Sequence, residues 1–191
     1  IGKRGVHSDT GCEKPGELVP RAAGPFNYPT ELAPAPSGDL YVSDGYRNCC
    51  VHRFTADGKL IQSWGQPGKT APGEFHLSHS VVIGPDGRVY VGDRGNKRVQ
   101  VFSADGKFID MWTGMGGPNH VALGKDGLFY IAEQKADGAP GHISIRDASG
   151  RILARWPRRH IHGICVDSRG DLYTVEWVAN GRPRKWRHTP A

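Results

Sequence analysis

The chain has 191 residues with 25 Lys and Arg against 19 Asp and Glu, a formal net charge of +6, and it carries 27 Gly and 14 Pro. That length suffices for one domain, expected over 1–191, with a sizeable core. Many turn formers between short apolar runs point to an all-β chain rather than a helical one. No stretch approaches the roughly 20 apolar residues of a membrane helix, so a membrane is not an expected partner.

In chain order, the opening "IGKRG" reads as a short strand and is followed by a polar loop with no charged-then-apolar leader pattern. Four copies of one unit follow, starting at "YPTELAPAPSGDLYVSD", "LSHSVVIGPDGRVYVGD", "GPNHVALGKDGLFYIAE" and "HGICVDSRGDLYTVE". A repeat of roughly 40 to 50 residues with about four strands per copy is the signature of β-propeller blades. The expected blades lie at about 24–65, 73–113, 117–157 and 160–191.

Each second strand ends in an acid, Asp44, Asp93, Glu133 or Glu176, a repeat-wide position suited to a turn or an inter-blade hydrogen bond. Third and fourth strands are joined by Asp-Gly or Ser-Gly, which supply the positive φ of two-residue hairpins. Trp64, Trp112 and Trp156 close fourth strands and are read as packing between blades. The fourth copy stops after its third strand, "RKWRH", and residues 1–6 have the length of the missing strand. Two architectures follow: a four-bladed ring closed by that strand, or four blades of a six-bladed propeller whose open edges favour self-association.

Aligning the copies on their turns places Thr30, His79, Asn119 and His162 at one position, early in the first strand. First strands of a propeller line its central channel, and imidazoles from alternate blades could converge there on a metal. His79 and His162 are the candidate ligands. His120 is one residue out of that register, His160 is two residues before His162, and His7 lies in the opening; each is read as a surface or edge residue.

Cys165, in an apolar strand, is expected in the core. A bridge from Cys12 to Cys49 or Cys50 would indicate an oxidising, secreted or periplasmic setting. The basic stretches "RILARWPRRHIH" and "NGRPRKWRH" are read as solvated blade edges in preference to a nucleic-acid surface.

The string from "FNYPTELAPAPSGDLYVSDGYRN" through "LSHS" to "GDRGNKRVQVFSADGKF" resembles the NHL-repeat family, and more narrowly the peptidyl-α-hydroxyglycine α-amidating lyases and their bacterial relatives. The resemblance implies a six-bladed propeller with zinc held by three histidines, splitting a peptidyl-α-hydroxyglycine into a peptide amide and glyoxylate. By motif, His79 in "LSHS" and His162 in "HGICVD" match two zinc ligands, Tyr46 in "SDGYRN" the active-site tyrosine, and Arg94 in "GDRGN" the arginine. Such chemistry needs a base for the substrate hydroxyl, a Lewis acid for the alkoxide and a cation for the carboxylate. The implied substrate is a small molecule or peptide bearing an α-hydroxy acid group.

The chain departs from that pattern in three places. The family's first histidine, in a "PHG"-like motif, has no counterpart, and Ser78 replaces the usual Pro before the second. Gly163 stands where animal enzymes place an Asp that helps bind structural calcium, so calcium is implied only weakly. The competing expectation is a non-catalytic NHL scaffold for proteins or nucleic acid, the latter not favoured. A calcium-dependent lactonase-like propeller would instead need several acidic axial residues.

Overall fold

The computed structural model describes residues 1–134 and 140–188, which form two compact units divided after Thr113. The first unit holds a four-stranded sheet of β1 (Pro29–Pro34), β2 (Leu40–Asp44), β3 (Cys50–Phe54) and β4 (Leu60–Trp64). A short parallel pair, β5 (Gln66–Pro67) and β6 (Glu74–Phe75), leads to a second sheet of β7 (Ser78–Ile83), β8 (Val89–Asp93), β9 (Arg98–Phe102) and β10 (Phe108–Trp112). The second unit has a four-stranded sheet of β11 (Pro118–Leu123), β12 (Phe129–Glu133), β13 (His142–Arg146) and β14 (Ile152–Pro157), then a three-stranded sheet of β15 (Ile161–Val166), β16 (Leu172–Glu176) and β17 (Arg184–Trp186). These are meandering antiparallel blades of the propeller type, as the repeat implied.

The hairpins differ in one detail from expectation. Ala35 N bonds Asp39 O and Gly38 N bonds Ala35 O, and the same pair of bonds recurs at Thr55–Lys59, Ser103–Lys107 and Asp167–Asp171. This is a three-residue loop, a type I turn closed by a left-handed glycine, and not a two-residue hairpin. Gly38, at φ +90°, shows why glycine recurs there.

The first core gathers Tyr41, Cys49, Val51, Phe75, Val81, Val89, Val91 and Phe102, with Trp64 against it. Trp64 contacts Tyr41 in its own sheet at 6.2 Å and Phe102 of the next at 5.9 Å, the inter-blade packing its position suggested. In the second unit Trp156 packs against Tyr130, Ala132, Ile143, Ile161, Ile164 and Leu172.

The acids at the second-strand ends work within a blade. Asp44 accepts from Asn27 N at 2.9 Å and Asp93 from His76 N at 2.9 Å, each tying the segment before a first strand to the end of the second. Glu133 does the same with Gly116 N, also at 2.9 Å. Burial pushes the Asp93 carboxyl above the usual range, opposed by the Arg98 guanidinium 2.8 Å away.

Residues 1–6 form no strand and so do not supply the expected fourth strand; Ile1 and Gly2 lie by Gly58 and Phe26 of the first unit. The four cysteines are free, so no Cys12 bridge forms: Cys49 and Cys50 are buried, and Cys12 donates its thiol to Lys14 O. Cys165 is exposed instead of in the core. Alternation decides this, since its neighbour Ile164 takes the inward face.

Candidate functional site

The four residues that the turn alignment brought together share a backbone feature. In β7 the register passes from Ser78–Asp93 to Ser80–Gly92, leaving His79 as the extra residue of a bulge. Thr30, Asn119 and His162 are skipped in the same way in β1, β11 and β15. A bulge turns one side chain away from the strand's alternation, and each blade spends it on this position. The residue just before the strand is left-handed at Tyr28, Leu77 and His160.

The bulges are stitched in pairs. Thr30 Oγ1 lies 2.8 Å from Ser78 O, the carbonyl preceding His79, and Asn119 Nδ2 donates to Ile161 O, preceding His162, also at 2.8 Å. The two blades without histidine thus hold the backbone of the two that carry it. Alignment found the position, but nothing in the sequence singled out Thr30 and Asn119 as these donors.

Tyr46 follows β2 on a loop pinned along its length. Tyr46 N bonds Tyr28 O at 3.4 Å, Arg47 N bonds Asn27 O at 3.2 Å, and Gly16 N of the opening segment donates to Tyr46 O at 2.6 Å. Gly45 sets the approach to β7: a Cβ there would fall 2.0 Å from Ser78 O. Arg94 begins a 3-10 turn, Arg94–Asn96, after β8; its N bonds Leu77 O at 3.0 Å and Gly95 N bonds His76 O at 2.8 Å.

These placements bring three of the four expected site residues together. The Tyr46 hydroxyl is 3.0 Å from His79 Nε2, and Arg94 NH1 donates to the same hydroxyl at 3.3 Å. The Arg94 guanidinium lies 5.2 Å from the centre of the Tyr46 ring, and the Tyr46 and His79 rings meet edge to face at 5.3 Å. His79 is buried, while Tyr46 and Arg94 are half-buried. A phenol flanked by an imidazole and a guanidinium can exchange a proton on one side and meet an anion on the other.

His162 occupies the matching bulge on β15 of the second unit and is half-buried. The remaining histidines have separate roles. His120 Nδ1 accepts from Ile164 N at 3.0 Å, His160 is the left-handed residue outside β15, and His7 is exposed. His52 is wholly buried between Asp44 Oδ2 at 3.3 Å and Ser63 Oγ at 2.7 Å, as a core polar group. Gly163 offers no side-chain oxygen to calcium, and a Cβ there would fall 2.7 Å from Val175.

Among the described residues no group of three or more His, Cys, Asp and Glu side chains is placed to hold a metal. His79 Nε2 faces the Tyr46 hydroxyl. Zinc takes three or four protein ligands, so the side chains present do not by themselves make a complete zinc site.

Comparison with known proteins agrees with the blade structure. The NHL repeat family matches residues 79–102. Human NHL repeat-containing protein 3 is 36% identical over 115 residues, covering 57% of this chain and 33% of that protein. Peptidyl-alpha-hydroxyglycine alpha-amidating lyase 1 of Drosophila melanogaster is 30% identical over 172 residues, covering 84% of this chain and 30% of that protein. The matches therefore span about a third of the length of these relatives. The solved structure of the RRP9 WD40 repeats superposes with a TM-score of 0.63 at 14% identity over 86% of this chain and 50% of that one, a likeness of propeller fold alone. The chain thus folds into antiparallel propeller-type blades, three of four strands and one of three, and residues 79–102 carry an NHL repeat.

Proposed function

We propose that the chain is the site-bearing part of a lyase-like NHL propeller acting on an N-acyl-α-hydroxyglycine, a small molecule or peptide with an α-hydroxy acid group. The observation that carries this reading is the Tyr46 hydroxyl held between His79 Nε2 and Arg94 NH1. Similarity to an amidating lyase over 84% of the chain supports it.

In this reading the Arg94 guanidinium, which donates one N–H to Tyr46, also meets the substrate carboxylate, a pairing that guanidinium geometry favours. Tyr46 takes the proton of the substrate hydroxyl while handing its own to His79 Nε2. The electron pair of the broken O–H bond becomes the second bond of the new C=O, the C–N bond breaks, and the proton is returned to the leaving amide nitrogen. Peptide amide and glyoxylate result, with atoms balanced. By resemblance His79 and His162 would also serve zinc as a Lewis acid, but two imidazoles fall short of a zinc site and no step here is routed through a metal.

The test is release of glyoxylate from N-benzoyl-α-hydroxyglycine. A rate above the spontaneous one that falls about a hundredfold in Tyr46→Phe is expected, the usual scale for losing a general base. A background rate, or a Tyr46→Phe variant as fast as the parent, overturns the reading. The second reading is a non-catalytic NHL platform for a protein or nucleic acid, and it is what a background rate would leave.

A further inference from the structure

The second unit contains a cavity of about 400 Å³ that the cluster around Tyr46 does not use. It is lined by Pro157 at the end of β14, by Arg158, Arg159 and His160 in the connection to β15, by Glu176 at the end of β16 and by Arg184 at the start of β17. Three guanidiniums against one carboxylate leave the wall cationic. That volume falls in the usual range for small-molecule sites.

Its wall is organised. Glu176 Oε1 forms an ion pair with Arg158 NH2 and lies 3.6 Å from Arg184 Nε, so a single carboxylate braces two guanidiniums. Arg158 also lies over the Trp186 ring at 5.7 Å, and its backbone N donates to Gly141 O at 2.7 Å. Its Nε is buried and has no hydrogen-bond partner among the described residues. A guanidinium has five N–H donors, and one shared carboxylate cannot occupy those of two arginines. Arg159 stands exposed beside them.

The rim adds an aromatic face. His160 is left-handed at φ +59°, its carbonyl accepts from Trp177 N at 3.2 Å, and its ring meets the indole edge to face at 5.9 Å. Trp177 is 67% exposed, which leaves the indole available to a planar group.

We propose that this cavity binds a phosphate dianion, either free or as the phosphate ester of a small molecule. The excess positive charge matches a dianion better than a monoanion, and planar guanidiniums held in place suit oxyanions. The site would draw Arg158, Arg159 and Arg184 from the two basic stretches.

Calorimetric titration at low ionic strength tests this, using inorganic phosphate, adenosine monophosphate and, as a monoanionic control, acetate. Saturable one-to-one binding of both phosphates is expected, with acetate at least about tenfold weaker. Removing two charge-assisted donors in Arg159→Gln/Arg184→Gln should weaken phosphate at least about tenfold. A thermal melt confirms that the double variant folds, and Arg159→Gln alone carries the test if it does not. Equal affinities for the two phosphates, unaltered by Trp177→Ala, identify the free anion. Tighter binding of the nucleotide, lost in Trp177→Ala, identifies an aromatic phosphate ester. Absence of saturable binding by both phosphates, or an unchanged affinity in the arginine variants, overturns the proposal.

Discussion

The Thr30 hydroxyl lies 2.8 Å from the carbonyl oxygen of Ser78, the residue before His79. The blade with a hydroxyl at the bulge thereby anchors the bulge that carries an imidazole. Ser43 Oγ, 2.7 Å from Thr30 Oγ1, completes the link to β2. Thr30→Val keeps the shape and removes the donor, leaving a buried carbonyl short of a partner at a cost of about 1 kcal/mol. The denaturant midpoint of the variant should fall accordingly, and glyoxylate release should fall with it as His79 loses its support.

Gly45 and Gly38 separate two uses of glycine. A methyl group at Gly45 would meet the Ser78 backbone at 2.0 Å, whereas at Gly38 it meets nothing within 4 Å and costs only the strain of φ +90°. Gly45→Ala is expected to destabilise by about 3 kcal/mol, since the strands must part. Gly38→Ala should cost about 1 kcal/mol. Equal shifts in urea midpoint would contradict the close approach of β2 and β7.

Arg94 donates to Tyr46 and, in the proposed reaction, to the substrate carboxylate. Arg94→Gln should raise KM for N-benzoyl-α-hydroxyglycine at least about tenfold, the scale of a lost charge-assisted pair. Arg94→Lys keeps the charge without the fork and should recover only part of that loss. Steady-state kinetics on the two variants decide it.

Asp147 is held low, to about 2, first by the Ser149 hydroxyl and also by Arg151. Its folded value lies below the ordinary carboxylate value of 3.8, so its stabilising effect is present above that value and is lost as pH falls toward 2. Asp147→Asn should therefore melt lower than the parent at pH 5 and converge with it near pH 2, a trend that melts across this range would reveal. Convergence in the opposite direction would reverse the sign of the assignment.

Alkylation separates the cysteines by burial. Cys165 is exposed, while Cys49 and Cys50 are 1% and 4% exposed. Iodoacetamide should label Cys165 in the native chain and reach Cys49 and Cys50 only after unfolding. Mass mapping of the labelled peptides gives the order.

The repeat is readable because turn glycines and apolar alternation recur in every copy, and closing tryptophans in the first three, and these are local properties. The same periodicity picked out His79 and His162, and motif resemblance added Tyr46 and Arg94. Misreadings arose where a side chain's fate depends on its neighbours in space. An apolar string suggests an inward Cys165, yet the side chain lies on the outward side of β15. Residues 1–6 look like a strand but pair with no sheet.

The sequence by itself determined the blades, their order and the equivalence of Thr30, His79, Asn119 and His162, because a backbone repeat follows from local turn chemistry and side-chain period. Only the tertiary structure decided that those four sit in bulges, that Thr30 and Asn119 hold the carbonyls before the histidines, and that Tyr46, 33 residues from His79, meets its Nε2. The physical reason is that a bulge and a contact between blades are properties of strand pairing and packing. They are fixed by residues far apart in the chain, and no local window contains both partners.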